Sequence, residues 1–174
     1  MKSTFFPHFT IGVDAYDAIP DICLDYGKTA VIVGGEKSRA AAEPLIRKAI
    51  EGKIELLGSF QYGDDATFEN AEALTRIPEI RKADMVFAVG GGRATDTAKW
   101  ATHLLKKPLF TFPTLASNCA SVTAVCIMYH PDHSFKGSSH CFSNFSLPYI
   151  LRAYWFSRLS GVTFCGRFIV LPSL

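Results

Sequence analysis

The sequence predicts an α/β fold: a parallel sheet with helices on both faces, extended by a β-hairpin. Two observations predict it. Apolar, often β-branched runs alternate with helical patterns in units of about 25–30 residues, the rhythm of repeated strand–helix units. Glycines close the first and third of these runs, at the carboxyl ends of strands, where ligands of such sheets bind. At 174 residues the chain is long enough for one full domain.

Thr29-Ala30-Val31-Ile32-Val33 reads as a buried strand ending at Gly34-Gly35. A helical pattern follows, with Ser38 as N-cap, Leu45, Ile46 and Ile50 on one side and Gly52 as its stop. Pro44 inside it predicts a restart or a kink. The second strand is read from Ile54 to Phe60. Asp64-Asp65-Ala66-Thr67 then leads into a helix carrying Phe68, Ala71, Leu74 and Ile77, with Pro78 disturbing its last turn. Met85 to Val89 is the third strand. The helix after it is expected from about Ala94 to Lys106, with Ala98, Ala101 and Leu105 at core spacing. Pro108 to Pro113 reads as the fourth strand. Ala124 to Tyr129 and Ser134 to Lys136, around His130-Pro131-Asp132-His133, form the hairpin. The whole pattern is Rossmann-like.

Hydrophobic content of 48% and charged content of 20% fit a soluble globular chain. A net charge of +2 gives no reason to expect nucleic acid as a partner. No apolar run reaches the ~18 residues of a membrane helix, and the first residues are too polar for a signal peptide. Cys23, Cys119, Cys126, Cys141 and Cys165 are scattered without CxxC spacing, which predicts reduced thiols, no structural zinc and a cytoplasmic location.

The third strand ends in Gly90-Gly91-Gly92 and turns directly into a helix. Bare backbone there can approach a bound group closely, and the helix start supplies free N–H groups and the positive end of its dipole. A pyrophosphate is the natural occupant; packing alone is the competing use of such glycines.

Gly90-Gly91-Gly92-Arg93-Ala94-Thr95-Asp96-Thr97-Ala98-Lys99, with Phe112-Pro113-Thr114-Leu115-Ala116-Ser117 and the run to Tyr129, resembles the amino-terminal domain of the iron-containing alcohol dehydrogenase superfamily. The similarity is to the glycerol dehydrogenase and hydroxycarboxylate dehydrogenase branch and covers residues from about Phe6 to Lys136. It implies that residues 1–136 form a domain binding NAD or NADP. Gly91 and Gly92 would face the pyrophosphate, with Arg93 and Asp96 beside it. Thr114 and Ser117 would contact the cofactor from the next loop. Thr123, Val125 and Tyr129 would line the dinucleotide and its nicotinamide end, and Lys99 would orient locally or pair with a carboxylate. The implied reaction is oxidation of a small alcohol, such as glycerol or a hydroxy acid. In the family a Zn or Fe ion, held largely by a helical carboxyl-terminal domain, polarises the hydroxyl while hydride passes to the nicotinamide.

Three departures stand out. Gly34-Gly35 replaces the acidic residue that often grips the adenosine ribose, and Lys37 and Arg39 leave room for a 2′-phosphate. Cys119, within Ser117-Asn118-Cys119-Ala120-Ser121, stands where glycerol dehydrogenases place an aspartate near the polyol. The family's metal-ligating aspartate should fall near Ile169, and its two histidines farther on. The expectation is therefore a chain missing the helical domain, with no catalytic and no metal residue to assign.

Charge changes sharply along the chain. All sixteen acidic residues lie between Asp14 and Asp132, whereas residues 137–174 hold no Asp, Glu or Lys, only Arg152, Arg158 and Arg167, among seven serines and eight aromatics. Residues 137–174 are thus read as an atypical tail, altered in reading frame or poorly ordered. The alternative is a genuine tail packing on the sheet or on a membrane surface, although Pro148, Gly161 and Gly166 oppose a long interfacial helix.

His130, His133, His140 and Cys141 read as solvated hairpin residues rather than a metal site. Cys119 has no assignable partner and reads as a packed or exposed thiol. Lys106-Lys107 closes a helix where cations are favoured. A relative of dehydroquinate synthase would share the glycine block, but Pro113-Thr114-Leu115-Ala116-Ser117 points away from it. Two function classes follow: an oxidoreductase by lineage, weakly active or inactive alone, and a non-catalytic dinucleotide-binding fragment or partner of a full-length homologue. Turnover abolished by a chelator marks the first, and dinucleotide binding without turnover the second. Without the covering domain, exposed apolar surface predicts self-association. The expected partners are a nicotinamide dinucleotide and a small alcohol or hydroxy acid, with no nucleic acid and no membrane. Translation of the coding DNA beyond codon 137 in the other two frames is expected to yield a metal-binding continuation; its absence from both would count heavily against the altered-frame reading.

Overall fold

The computed structural model describes residues 9–11, 14–115, 118–140 and 152–155. Strand β1 (Phe9–Ile11) and a 3₁₀ turn (Ala15–Ala18) lead to helix α1 (Ile19–Cys23). Strand β2 (Thr29–Gly34), helix α2 (Glu36–Ile50), strand β3 (Glu55–Gln61) and helices α3 (Phe68–Thr75) and α4 (Pro78–Lys82) follow. Strand β4 (Met85–Gly90), helix α5 (Gly92–Leu105) and strand β5 (Leu109–Pro113) complete the repeating units. Strands β6 (Val125–Tyr129) and β7 (Phe135–His140) make an antiparallel hairpin, and β8 (Arg152–Trp155) is the last strand.

Six strands form one sheet in the order β1-β8-β5-β4-β2-β3, every pair parallel. The four strands read from the sequence are all present. The other two, β1 and β8, have three and four residues, too few for any periodicity to show. Strand β7 runs across Gly137 and β8 lies beyond it, so both contain part of the acid-free stretch. The rest of that stretch, Ile169 included, lies outside the described residues, as does Ser117.

The chain leaves β2 for the edge strand β3, then returns to the other side of β2 as β4. That reversal leaves a crevice between the carboxyl ends of β2 and β4. Side chains alternate across the sheet. Ala30, Ile32, Met85, Phe87, Val89, Phe110 and Phe112 pack with α1 and α2 on one face. Val31, Val33, Val86, Ala88 and Leu109 pack with α3, α4 and α5 on the other. Burial on both faces is why these strands read as continuous apolar runs.

Two helices differ from their expected forms. Helix α2 begins at Glu36 with Gly35 as its N-cap, two residues before Ser38, and runs unbroken through Pro44. Its buried residues Ala42, Ile46 and Ile50 hold it to the sheet, while Pro44 and Ala40 lie on the exposed side. Ala40, whose carbonyl loses its helical N–H there, is an exposed residue, and water at such a position lowers the cost of the proline. The single helix expected to Ile77 is instead α3 and α4. Pro78 opens α4 and forces Ile77 into an extended conformation, φ −72° and ψ 122°. The start of α3 is capped by Thr67, whose hydroxyl accepts from Asn70 N at 3.1 Å.

At the opposite end of the sheet, Asp84 ties β4 to β2. Its Oδ2 accepts from Lys28 N (2.9 Å), Thr29 N (2.9 Å) and the Thr29 hydroxyl (2.8 Å). Gly27, at φ +143°, lies so close that a Cβ there would fall 2.3 Å from Asp84 Cβ. The Thr29 hydroxyl, with the two backbone N–H groups and the nearby Lys107 charge, holds the Asp84 carboxyl below the usual aspartate range. A depressed folded-state value means stability that is present above the unfolded value, about 3.9, and is lost as pH falls through the folded one. Asp84→Asn should therefore lower the melting temperature at pH 7, and the gap to the unmodified chain should close in melts run at progressively lower pH below about 4. A gap that stays constant down to pH 2 would contradict this role.

Candidate functional site

The carboxyl ends of β2, β4 and β5 bring Gly34-Gly35, Gly90-Gly91-Gly92 and Pro113-Thr114 together. A Cβ on Gly34 would lie 2.2 Å from the Val89 carbonyl oxygen, so at this point β2 and β4 touch backbone to backbone. Helices α2 and α5 start immediately beyond, from opposite faces of the sheet, and neither has a capping side chain. Arg39 N reaches Gly35 O at 2.9 Å and Thr95 N reaches Gly91 O at 3.1 Å. The N–H groups before these are the donors that every helix start leaves unused. Across the crevice the Ser38 and Thr114 hydroxyls lie 3.4 Å apart, and Thr114 N donates to Gly90 O at 3.2 Å.

The three glycines of the bend differ in what requires them. Gly90 has φ +148°, and a Cβ on it would come within 3.0 Å of Ala94 Cβ. At Gly92 a Cβ would lie 2.5 Å from Asn118 Nδ2, because the Asn118 amide leans over the start of α5 while its Oδ1 accepts from Ala120 N. Gly90 is glycine for its backbone conformation, whereas Gly92 leaves room for the end of the exposed Asn118 side chain. Gly91 is different: its φ of −83° suits any residue, and its nearest neighbour would be Leu115 Cδ1 at 3.5 Å, an ordinary contact. Serine or aspartate would cap α5 better than glycine. Nothing within the described residues asks this position to be bare.

Arg93 is the second residue of α5 and is more than half exposed. Its Nε lies 3.2 Å from Asp65 Oδ1 and its guanidinium carbon 5.4 Å from the Tyr129 ring centre. Asp96 faces the other way. It is buried, its Oδ1 accepts from Lys99 Nζ at 2.9 Å and its Oδ2 accepts from Ile127 N at 3.2 Å. Lys99, fully buried, also donates to Val125 O at 2.7 Å. Burial pushes the Asp96 carboxyl above the ordinary aspartate range, while Lys99 and the Ile127 amide pull it back. Asp96, Lys99 and Val125 thus form the joint between α5 and the hairpin, with Lys99 paired to a carboxylate. Tyr129 ties the hairpin to the β3–α3 loop instead, its backbone N donating to Ala66 O at 2.8 Å. Thr123 is half-buried, in the extended residue that precedes the hairpin.

Sequence reasoning left three participants unassigned. Asn118 covers Gly92. Asp65, at 0% exposure, anchors Arg93, and His133 bonds the other oxygen of the same carboxylate, Nδ1 to Oδ2 at 2.7 Å. A pair of acidic residues before a helix was the available signal for Asp65, but its partners lie far along the chain. Arg39 spends its side chain on the framework: Nε on Gly34 O, Nη1 on Ser59 O and Oγ, Nη2 on Gln61 Oε1. Among the described residues no group of three or more His, Cys, Asp or Glu is placed to hold a metal ion. No helix among them is long and apolar enough to cross a membrane.

Residues 7–151 match the family model of iron-containing alcohol dehydrogenase. The chain belongs to that family. Glycerol dehydrogenase of Thermotoga maritima is 37% identical over 75 residues, covering 43% of this chain and 20% of that one. An NAD(P)+ glycerol-1-phosphate dehydrogenase of Methanoculleus marisnigri is 32% identical over 117 residues, covering 62% and 30%. The solved glycerol dehydrogenase of Schizosaccharomyces pombe superposes with a TM-score of 0.73 at 19% identity, over 89% of this chain and 38% of that chain. The lineage is one of oxidoreductases, and the fold is that of the family's α/β part. This iron-containing alcohol dehydrogenase homologue spans 16% to 34% of the length of the curated relatives it matches.

The joint between α5 and the hairpin makes a direct prediction. Lys99→Met leaves the Asp96 carboxylate buried without its cation and should cost about 3–5 kcal/mol in urea denaturation. Replacing both, Asp96→Leu with Lys99→Met, should recover most of that loss. Equal losses for the single and double variants would show that the pair is not what holds the joint.

Proposed function

We infer that this chain forms the dinucleotide-binding part of an alcohol-oxidising enzyme and takes the pyrophosphate of NAD or NADP on the Gly91–Arg93 turn. The observation that carries the reading is Gly91. Two glycines of the bend answer to neighbouring atoms, and the third answers to none, yet it stands at the positive end of a helix with unused N–H groups. A bare, uncapped helix start beside an exposed guanidinium suits a doubly charged phosphate bridge. Thr114 and the Ser38 hydroxyl close the crevice from the neighbouring strand ends.

When bound, the dinucleotide supplies the hydride acceptor. The chain's own work is to orient it: backbone N–H groups and Arg93 hold the phosphates, and the hairpin residues Val125 and Tyr129, with Thr123 before them, flank the site. Asp96 supports this from behind, through the hairpin. The substrate class is a small alcohol, glycerol or a hydroxy acid. The described residues do not supply the ligand set of a Zn or Fe ion. No acidic side chain stands at Gly34-Gly35, and the Arg39 guanidinium is committed to β2 and β3, so among the described residues the exposed Lys37 is the cation we assign to the ribose end.

Gly91→Asp separates binding from folding. Aspartate is a better N-cap than glycine, so the variant should melt at the same temperature or slightly higher. Its charge opposes the phosphates, so calorimetric titration with NAD⁺ and with NADP⁺ should show affinity reduced by about tenfold or more. Unchanged affinity in a well-folded Gly91→Asp chain, or no binding of either dinucleotide by the unmodified chain, would overturn the reading.

A further inference from the structure

Among the described residues, Asp65 is a fully buried carboxylate that lies outside the Asp96–Lys99 pair and yet touches the proposed site. The loop between β3 and α3 fixes it firmly. Its backbone carbonyl accepts from Thr67 N at 3.0 Å and Asn70 Nδ2 at 2.9 Å, and Ala66 N donates to its Oδ1 at 2.8 Å. Each carboxylate oxygen then receives a side chain from a different element. Arg93 Nε, from the first turn of α5, lies 3.2 Å from Oδ1, and His133 Nδ1, from the hairpin turn, lies 2.7 Å from Oδ2. Asp65 itself has 0% exposure, while the Arg93 and His133 side chains are 56% and 59% exposed.

The way Arg93 is held matters. Asp65 pairs by charge with the Nε side of the guanidinium, and the Tyr129 ring lies 5.4 Å from its carbon. Among the described residues no hydrogen bond engages Nη1 or Nη2. Those two groups form the outer fork of the guanidinium, the edge that matches two oxygens of a phosphate. An exposed arginine ordinarily samples many rotamers, and fixing it beforehand removes that entropy loss from binding. A buried carboxylate needs cationic or N–H partners for its own sake, and here it finds one by fixing the guanidinium of the α5 turn.

We propose that Asp65 is a positioning residue for the dinucleotide: it holds Arg93 by Nε against Tyr129, so that the outer fork of the guanidinium is presented to the pyrophosphate on the Gly91–Arg93 turn. This rests on the dinucleotide reading above. The test is calorimetric titration of the full chain with whichever of NAD⁺ or NADP⁺ it binds, for Asp65→Asn, Arg93→Met, both together, and Arg93→Lys. Asp65→Asn and Arg93→Met should each weaken binding about tenfold. The double variant should be no more than about twofold weaker than Arg93→Met alone, because both remove one interaction. A merely structural Asp65 would instead give losses that multiply. Arg93→Lys keeps the charge but cannot engage a carboxylate and a phosphate through one planar group, so it should still lose about fivefold.

Unchanged affinity in Asp65→Asn, multiplying losses in the double variant, or Arg93→Lys binding like the unmodified chain would each overturn the proposal. If Asp65→Asn does not fold, the exposed Arg93→Lys substitution decides alone. Failure of the unmodified chain to bind either dinucleotide removes the underlying reading, whereas normal binding with any of these overturning outcomes removes only the role of Asp65.

Discussion

Strands β2 and β4 meet at their carboxyl ends with no room for a side chain between Gly34 and the Val89 carbonyl. Much of the rest depends on that contact. It sets the starts of α2 and α5 on either side of one crevice, since each helix begins one or two residues beyond its strand. Their dipoles then act on the same small volume, and Ser38 and Thr114 come within reach of each other. Had the strands been spaced by ordinary side chains there, the two helix starts would address different points, and neither alone would cradle a bridged pair of phosphates.

Among the described residues, carboxylates fasten the joints between elements: Asp84 at the exposed end of the sheet, Asp96 and Asp65 in the interior. Asp84 ties β2 to β4 at one end of the sheet. Asp96 with Lys99 fastens α5 to the hairpin, and Asp65 brings the β3–α3 loop, α5 and the hairpin turn onto one carboxylate. Buried ion pairs add little net stability compared with apolar packing, but losing one partner is costly, which makes them good at fixing geometry. Among the described residues of the hairpin, Cys126 and Met128 are fully buried, with Phe68 and Trp100 packed against them. So small an apolar contact needs directional bonds to fix its position, and the two carboxylates provide them from both ends.

The sequence displays most of the central sheet because β2, β4 and β5 are buried on both faces and therefore unbroken in apolar character. It hides β1 and β8, whose few residues carry no pattern. Proline is ambiguous in sequence: Pro44 sits inside a helix because the bond it forfeits is at exposed Ala40, while Pro78 splits one helix into two. The glycine bend is legible as a site, but only the neighbours of each glycine separate Gly90 and Gly92, which make room for Ala94 and Asn118, from Gly91, which makes room for nothing in the described chain. Lys99 three residues after Asp96 is a readable pair. The 68-residue separation of Asp65 and His133 is not, since only folding brings them together.

The most direct measurement is an amide NMR titration of the ¹⁵N-labelled chain with NAD⁺ and with NADP⁺. The shifts should concentrate on Gly34 to Ser38, Gly90 to Ala94 and Thr114, with Tyr129 and His133 following through Arg93. Shifts confined to the opposite end of the sheet, around Lys28, Glu55 and Asp84, or no shifts at millimolar dinucleotide, would contradict a phosphate cradle at the glycine bend.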